Sequence, residues 1–177
     1  MVLTIIFVAL LVAADQAIKL WTITALAAQP GARQEFLPGL LNFRYVQNTG
    51  AAFSFFENGT VFFAVFTSIV LIAMTVLLIR VRKRNIRLLN AAITLILAGG
   101  IGNLIDRVAR GFVVDMFEFD FISFPIFNFA DVLICVGTGL LFIFILFFYE
   151  KYFPSKKKRT ENKAAEKKTV TNDADRA

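Results

Sequence analysis

The chain has 177 residues, 58% of them hydrophobic, 18% charged and 21 of them phenylalanine. Soluble domains run at about 45–50% apolar and about 25% charged, so this composition, with a mean hydropathy of +0.69, excludes an ordinary soluble globule. Histidine is absent and cysteine occurs once, as Cys135, which excludes Ser–His–Asp and Cys–His catalysis, His-ligated metals, an internal disulfide and multi-cysteine metal sites. Any catalysis must run on Asp, Glu, Lys, Arg, Ser, Thr or Tyr.

A membrane-spanning helix needs about 20 mostly apolar residues. The first candidate runs from Val2 to about Leu26 and contains Asp15 and Lys19. Residues 1–14 carry no Lys or Arg and no small-residue cleavage motif follows, so a retained helix is expected rather than a cleaved signal peptide. Residues 60–79 form a second span with no charge, and residues 88–105 a third. The fourth is the uncharged run 135–149, which extends back through Phe121 if Asp131 is tolerated. The expected fold is therefore an α-helical integral membrane protein with four transmembrane helices in residues 1–153, followed by a basic tail, residues 154–177. That tail has too few apolar groups to fold and is expected to be disordered.

The formal net charge of +6 looks like a nucleic-acid signature until the charges are placed. Residues 80–87 (RVRKRNIR) hold five cations, and the tail from Glu150 holds nine cations against five acids. The segments 27–59 and 107–125 hold two cations each, balanced or exceeded by acids. Lys and Arg in short loops mark the cytoplasmic side, so the basic loop and both termini are expected inside and the other two loops outside. The charge then reads as topology, with some attraction to anionic headgroups of membrane lipids, and no nucleic-acid partner is expected.

Depth brings the carboxylates together. At 1.5 Å rise per residue, Asp106 lies about 28 Å from the cytoplasmic face, Asp131 about 30 Å and Asp15 about 21 Å. Asp115 follows eight residues after Arg107 in the outer loop. Four aspartates thus converge at the outer edge of the bilayer, none at the midplane. Such groups are expensive at membrane depth and face a protein interior or a wet cavity. Asp15 and Lys19, at i and i+4, explain each other by mutual neutralisation, and Asp106 beside Arg107 sits at a helix end where charge is cheap. Asp131 has no cation within two turns. Its neutraliser must come from elsewhere, with Asp115 sharing a proton and Arg107 the nearest in depth. Two carboxylates forced together hold one proton between them. One can then activate water while the other protonates the leaving group, chemistry that needs no histidine, metal or nucleophilic serine.

Five short motifs line this region: Asp15-Gln16-Ala17-Ile18-Lys19; Asn48-Thr49-Gly50-Ala51-Ala52-Phe53; Gly99-Gly100-Ile101-Gly102-Asn103-Leu104-Ile105-Asp106-Arg107; Val113-Val114-Asp115; and Phe127-Asn128-Phe129-Ala130-Asp131. Singly each has a plain structural explanation, such as close helix contact through the glycines or an ordinary turn at Asn-Thr-Gly. Together, in this order on four spans, they closely resemble the bacterial lipoprotein signal peptidase (signal peptidase II) family over roughly residues 3–149.

The resemblance implies a multi-pass aspartic endopeptidase of the bacterial cytoplasmic membrane. Its substrate would be a diacylglyceryl-modified prolipoprotein, cut just before the lipidated cysteine. Matched motif by motif, Asp115 and Asp131 fall on the catalytic pair. Asp15, Lys19, Asn48, Gly99, Asn103, Arg107, Phe127 and Asn128 fall on positions that shape the site or orient substrate. The resemblance also implies a small extracytoplasmic β-structure between helices 1 and 2, and residues 41–46 do alternate in part like a strand. A segment between Asp115 and Phe127 is expected to cover the site, its phenylalanines (Phe117, Phe119, Phe121 and Phe124) lying on lipid or acyl chains. No cofactor or metal is implied, and a monomer is expected. Val132 departs from the Ser or Thr common after the second catalytic Asp. Three other readings are weighed: a proton- or ion-coupled transporter, a Ser–Lys protease using Ser54 and Lys19, and a non-enzymatic assembly factor. The transporter would string its carboxylates across the membrane and often shows internal repeats, neither of which this chain does. Cys135 is read as a packing residue.

Overall fold

The computed structural model describes residues 2–50 and 59–154. Four stretches within them are helical, long and apolar enough to cross a membrane: Val2–Leu26, Gly59–Arg84, Arg87–Arg110 and Phe129–Tyr152. We label the helices α1 (Val2–Leu26), α2 (Gly59–Val81), α3 (Arg87–Arg110) and α4 (Phe129–Ile143), and the strands β1 (Arg33–Leu37), β2 (Leu41–Asn48) and β3 (Val113–Phe119). Two compact units divide the chain, the second beginning at Phe142. In that second unit Phe144–Phe148 widens into a π-helical turn and Tyr149–Tyr152 forms a last helical turn. Tyr149 stacks on Phe153 at 5.4 Å. The expected disorder of the tail concerns residues 155–177, outside the described residues.

Within the first unit α3 is the inner helix: 56% of its membrane window is buried, against 11% for α1 and for α2. Its composition explains this. Hydrocarbon supplies no hydrophobic drive between helices, so close approach through small residues decides which helix sits in the middle. Gly99, Gly100 and Gly102 point at three different neighbours. A methyl group on Gly100 would meet Leu71 of α2 at 2.7 Å, one on Gly99 the carbonyl oxygen of Ala130 in α4, and one on Gly102 the carboxylate of Asp15 in α1. By contrast Ile5, Ile69 and Ile72 stand exposed on α1 and α2, as suits side chains that meet lipid.

The fourth helix starts at Phe129, later than the backward extension to Phe121 that the apolar run allowed. Pro125 and Asn128 supply the stop: a proline disfavours helical backbone before it, and Asn128 caps the helix that follows. The β-structure is likewise larger than expected. It is a three-stranded antiparallel sheet in the order β1-β2-β3, and its third strand comes from between α3 and α4. Asp115 therefore lies on a strand, not in a loop.

The sheet is amphipathic. Arg33 pairs across the strands with Arg44, and both bond Glu118 at 2.8 Å, while Arg33 also reaches Asp120. The two guanidiniums hold the Glu118 carboxyl below its usual range, against a desolvation that pushes the other way. Phe43 and Phe117 pair on the opposite face, in a run of ring contacts from Phe36 through Phe43, Phe117, Phe127 and Phe119 to Phe121 and Phe124. Trp21, near the end of α1, meets Phe43 edge-on at 5.1 Å.

Candidate active site

A buried ion cluster lies where α1 and α3 reach the sheet. Lys19, Asp15 and Asp106 are all 0% exposed. The Lys19 ammonium has three hydrogens to give, and it has three acceptors: Asp15 at 3.0 Å, Asp106 at 2.8 Å and the Asn103 side-chain oxygen at 2.9 Å. Arg110 closes the cluster on Asp106 and also donates to Gln16 at 3.0 Å. Burial without partners would cost several kcal/mol per ion, and full hydrogen bonding is what offsets it. The cluster also grips the neighbouring backbone. Asp15 accepts the amide of Ala130 at 3.0 Å, and Asp106 accepts the amide of Val114 at 3.1 Å. Those two residues immediately precede Asp131 and Asp115. The cluster thus sets where both of the following aspartates begin.

Asp115 and Asp131 are held by three asparagines working alike. Each asparagine has its side-chain oxygen taken by a donor, which fixes the flip of the amide and aims its nitrogen at a carboxylate. Asn48 accepts from the Gly50 amide at 2.8 Å and donates to Asp115 at 2.9 Å. Asn103 accepts from Lys19 and donates to Asp131 at 2.8 Å. Asn128 accepts from the Asp131 amide at 3.0 Å and donates to Asp115 at 2.7 Å. Asp131 in turn accepts the Asn128 amide at 3.1 Å. Asn128 and Asp131 are therefore the N-cap and third residue of α4 in a reciprocal capping box, and the same Asn128 ties both carboxylates together. Burial pushes the Asp115 carboxyl up to about 6, the Asn128 and Asn48 bonds opposing and the nearby Asp131 charge adding to the rise.

Register delivers Asn48 to this place. Before residue 44 of β2 the pairing with β3 runs Leu41 to Phe119 and Phe43 to Phe117; afterwards it runs Val46 to Asp115 and Asn48 to Val113. One extra residue in β2 makes the difference. Because side chains alternate with period two, a one-residue shift changes which face each occupies. Without the bulge Gln47, not Asn48, would share a face with Asp115. Phe127 completes the frame through its backbone: its carbonyl accepts from Met116 and Phe117 at 3.0 and 2.8 Å, and its amide donates to Phe117 at 3.2 Å. That bridge holds the start of α4 against β3.

The structure brings Asp15, Lys19, Asn48, Asn103, Asp115, Asn128 and Asp131 into one bonded network, with Gly99 at the α3–α4 contact. Three expectations change. Asp106 is not a cheap charge at a helix end but the second carboxylate on Lys19. Arg107, the sequence neighbour of Asp106 and a candidate neutraliser of Asp131, forms no ion pair among the described residues. It donates to the Asn103 carbonyl at 3.3 Å and lies over the Phe63 ring at 5.7 Å. Its place on Asp106 is taken by Arg110, which the sequence reading passed over although Asp106 and Arg110 repeat the i, i+4 spacing of Asp15 and Lys19. Cys135, read as a packing residue, is exposed on α4, because it falls outside the stripe of Ala130, Leu133 and Gly137 that α4 buries. Of the second motif, residues 51–53 lie outside the described residues, as does Ser54 of the Ser–Lys reading. Among the described residues no three His, Cys, Asp or Glu side chains meet in a metal-holding group.

Comparison with known proteins identifies the family. A family model described as Signal peptidase (SPase) II matches residues 7–147. The lipoprotein signal peptidase of Lactococcus lactis subsp. lactis (strain IL1403) is 42% identical over 144 residues, covering 81% of this chain and 93% of the relative. That of Enterococcus faecalis (strain ATCC 700802 / V583) is 44% identical over 138 residues, covering 78% and 84%. Among solved structures, a bacterial membrane enzyme determined by the in meso method at 1.9 Å resolution aligns with a TM-score of 0.72 at 33% identity, over 84% of this chain and 95% of that one. A second, at 2.3 Å resolution, gives the same TM-score at 32% identity, over 88% and 93%. Matched along nearly all of its membrane region by sequence and by fold, the chain belongs to the signal peptidase II family.

Proposed function

We propose that the protein is an aspartic endopeptidase that removes the signal peptide from diacylglyceryl-modified prolipoproteins, with Asp115 and Asp131 as its catalytic dyad. The observation that carries this reading is the bridge of Asn128 between two carboxylates from different elements, its side-chain amide donating to Asp115 and its backbone amide to Asp131, with Asp115 raised toward neutral pH. Four carboxylates (Asp15, Asp106, Asp115 and Asp131) face three cations (Lys19, Arg107 and Arg110) in this region. A single proton on the dyad makes the region neutral. Asp115, more deeply buried, holds that proton. Asp131 carries the charge, at the positive end of α4 and with the Asn103 and Asn128 donors on its oxygens.

In this assignment Asp131 takes a proton from a water held between the carboxylates, and the water oxygen bonds to the scissile carbonyl carbon. Asp115 gives its proton to the carbonyl oxygen as that oxygen becomes negative. The C–N bond then breaks as the nitrogen takes the proton from Asp131 and the oxygen returns its own to Asp115. The products are a carboxylic acid and the free amine of the lipidated cysteine, and the dyad is restored. Arg107, which among the described residues donates only to the Asn103 carbonyl, orients the substrate backbone. The aromatic face of the sheet, continuous with the dyad through Phe117 and Phe127, receives the acyl chains.

The same reading places the sheet and dyad at the extracytoplasmic surface of the bacterial cytoplasmic membrane, both termini inside, the enzyme acting as a monomer and residues 154–177 apart from the catalytic work. A Ser–Lys mechanism fits poorly, since Lys19 is enclosed and committed to two carboxylates. The test is cleavage of a purified prolipoprotein, with and without its diacylglyceryl group, in liposomes. Wild type is expected to cut only the lipidated form, and Asp115→Asn and Asp131→Asn to lose at least a thousandfold in rate while remaining folded. Retained cleavage by a pure Asp131→Asn preparation would remove the dyad, and cleavage of the unmodified form would remove the substrate class.

A further inference from the structure

Between α1 and α3, at the end where α3 begins, lies a cleft of ≈700 Å³. Leu3, Phe7 and Leu10 of α1 and Leu95 of α3 give it apolar walls, and Arg87 and Asn90 of α3 line it as well. Its size falls in the range of about 300–1,000 Å³ typical of ligand sites. A neighbouring cleft of ≈650 Å³ between α1, α2 and α3 has no cation in its lining.

What sets the first cleft apart is two donors without acceptors. Neither the Arg87 guanidinium nor the Asn90 carboxamide makes a hydrogen bond or ion pair among the described residues. The Asn90 side-chain oxygen is buried without a partner, whereas the residue as a whole is half-buried. The amide nitrogen is therefore the polar atom that Asn90 presents to the cleft. The Thr94 hydroxyl beside it is spent on the Asn90 carbonyl at 2.6 Å. Arg87 and Asn90, three residues apart, share a face of α3 and stand about 4.5 Å apart along its axis.

The surroundings favour negative charge. α3 has no acid in its first turn and no side-chain bond at its N-cap, Ile86. Its first amides lack intrahelical acceptors and form the positive end of the helix dipole. Arg82, Lys83 and Arg84 come just before in sequence, and no Asp or Glu occurs in residues 1–14 or 80–105. An apolar cleft that ends in cations and donors matches a molecule with a hydrocarbon chain, an ester carbonyl and an anionic phosphate, in that order.

We infer that this cleft binds one anionic phospholipid from the leaflet at the α2–α3 connection. The phosphate lies on Arg87, an ester carbonyl accepts from the Asn90 amide nitrogen, and an acyl chain runs along Leu3, Phe7, Leu10 and Leu95. The order of contacts follows the molecule: ester carbonyls lie on the hydrocarbon side of the phosphate, as Asn90 lies inward of Arg87. The bound lipid joins α1 to α3 at the opposite end of α3 from Asn103. A signal-peptide helix is disfavoured here, because its basic N-terminal region would face the cations of α3.

The experiment is native mass spectrometry of the full chain in detergent, titrated with phosphatidylglycerol, phosphatidylcholine and diether phosphatidylglycerol, which lacks the ester carbonyls. Ratios of Kd between lipids are read within each form, so they do not depend on how much protein is folded. Wild type is expected to bind one phosphatidylglycerol about tenfold more tightly than phosphatidylcholine, and Arg87→Gln to lose that preference. Lys83→Gln makes the same charge change outside the cleft and is expected to alter the preference by less than about threefold, as suits an exposed, screened charge. Wild type is expected to favour the ester over the diether lipid by about fivefold, and Asn90→Leu to show no such difference. Ala91→Phe, which fills the cleft, is expected to weaken phosphatidylglycerol by about tenfold. Equal losses in Arg87→Gln and Lys83→Gln would leave only a diffuse basic loop and overturn the site, as would equal binding of ester and diether lipids by wild type. Ala91→Phe that keeps the lipid but loses a synthetic signal peptide would give the cleft to the substrate helix and overturn it too.

Discussion

Asparagine is the residue on which this site turns. A carboxamide places a donor beside a carboxylate without adding charge, and its usefulness depends on which way it is flipped. Here Gly50, Lys19 and the Asp131 amide each occupy an asparagine oxygen, so Asn48, Asn103 and Asn128 can present only nitrogen to the dyad. Bonds of this kind favour the charged form of the acceptor. Burial of Asp115 favours the neutral form more strongly, and its carboxyl rests at about 6. The sign of the pH dependence follows. In the proposed mechanism Asp115 must be protonated to act as the acid, so kcat/KM is expected to fall as pH rises through about 6 in the free enzyme. Removing a donor that favours the charged form raises the pKa further. In Asn48→Ala the alkaline limb of the kcat/KM profile is therefore expected to move to higher pH, even as the maximal rate drops. A limb that stays put or moves down would give Asp115 some other role. The limb reports the pair rather than one group, so the shift and not its absolute position is the quantity to measure.

Among elements, α3 and the start of α4 decide whether the dyad exists. Gly99 lets the Ala130 carbonyl approach α3 so closely that a methyl group has no room, and the obstacle is backbone rather than a side chain that can swing away. Gly99→Ala must therefore displace the first turn of α4, which carries Asp131 away from Asn103. Overpacking of this sort typically costs about 1–3 kcal/mol. Thermal unfolding in detergent is expected to show a lowered Tm, with a fall in kcat of at least tenfold. Gly139→Ala, on α4 with nothing within 4 Å, is the control and is expected to leave both near wild type. A tolerated Gly99→Ala would mean that α4 is not held by this contact. The helices themselves were legible because twenty apolar residues leave few alternatives. β3 was not, since its partner strand lies some 70 residues away and the bulge in β2 shifts the alternation that would have betrayed the pairing. The start of α4 was written in Pro125 and Asn128, but the phenylalanines around them read as more of the same apolar run. The cluster around Lys19 was half legible. Its i, i+4 spacing was plain, whereas its hold on the Val114 and Ala130 amides depends on tertiary approach that no local pattern encodes.

At the scale of the molecule, charge distinguishes the two ends of the helices. The described cations divide by position: Arg80, Arg82, Lys83, Arg84 and Arg87 crowd the α2–α3 connection, whereas Arg33 and Arg44 at the other end are matched to Glu118 and Asp120. Lys and Arg concentrated in a short loop resist translocation. In the proposed function the sheet lies outside, its ion-paired face turned to water and its aromatic face toward the helices and lipid, where a substrate anchored by acyl chains would present the bond to be cut. Reporter fusions test this at two exposed turns. A fusion after Gly39, in the β1–β2 turn, is expected to give active alkaline phosphatase, which matures only outside the cytoplasm, and one after Asn85 is expected to give none. Fluorescent-protein fusions at the same sites are expected to show the reverse. The opposite pattern would put the dyad on the cytoplasmic side and detach it from any substrate delivered by secretion, even with every distance within the site unchanged. Replacing the five cations of residues 80–87 with Gln separates cause from coincidence: if they set the orientation, the signal from the Gly39 fusion falls as a fraction of molecules inserts inverted, and cleavage falls in proportion.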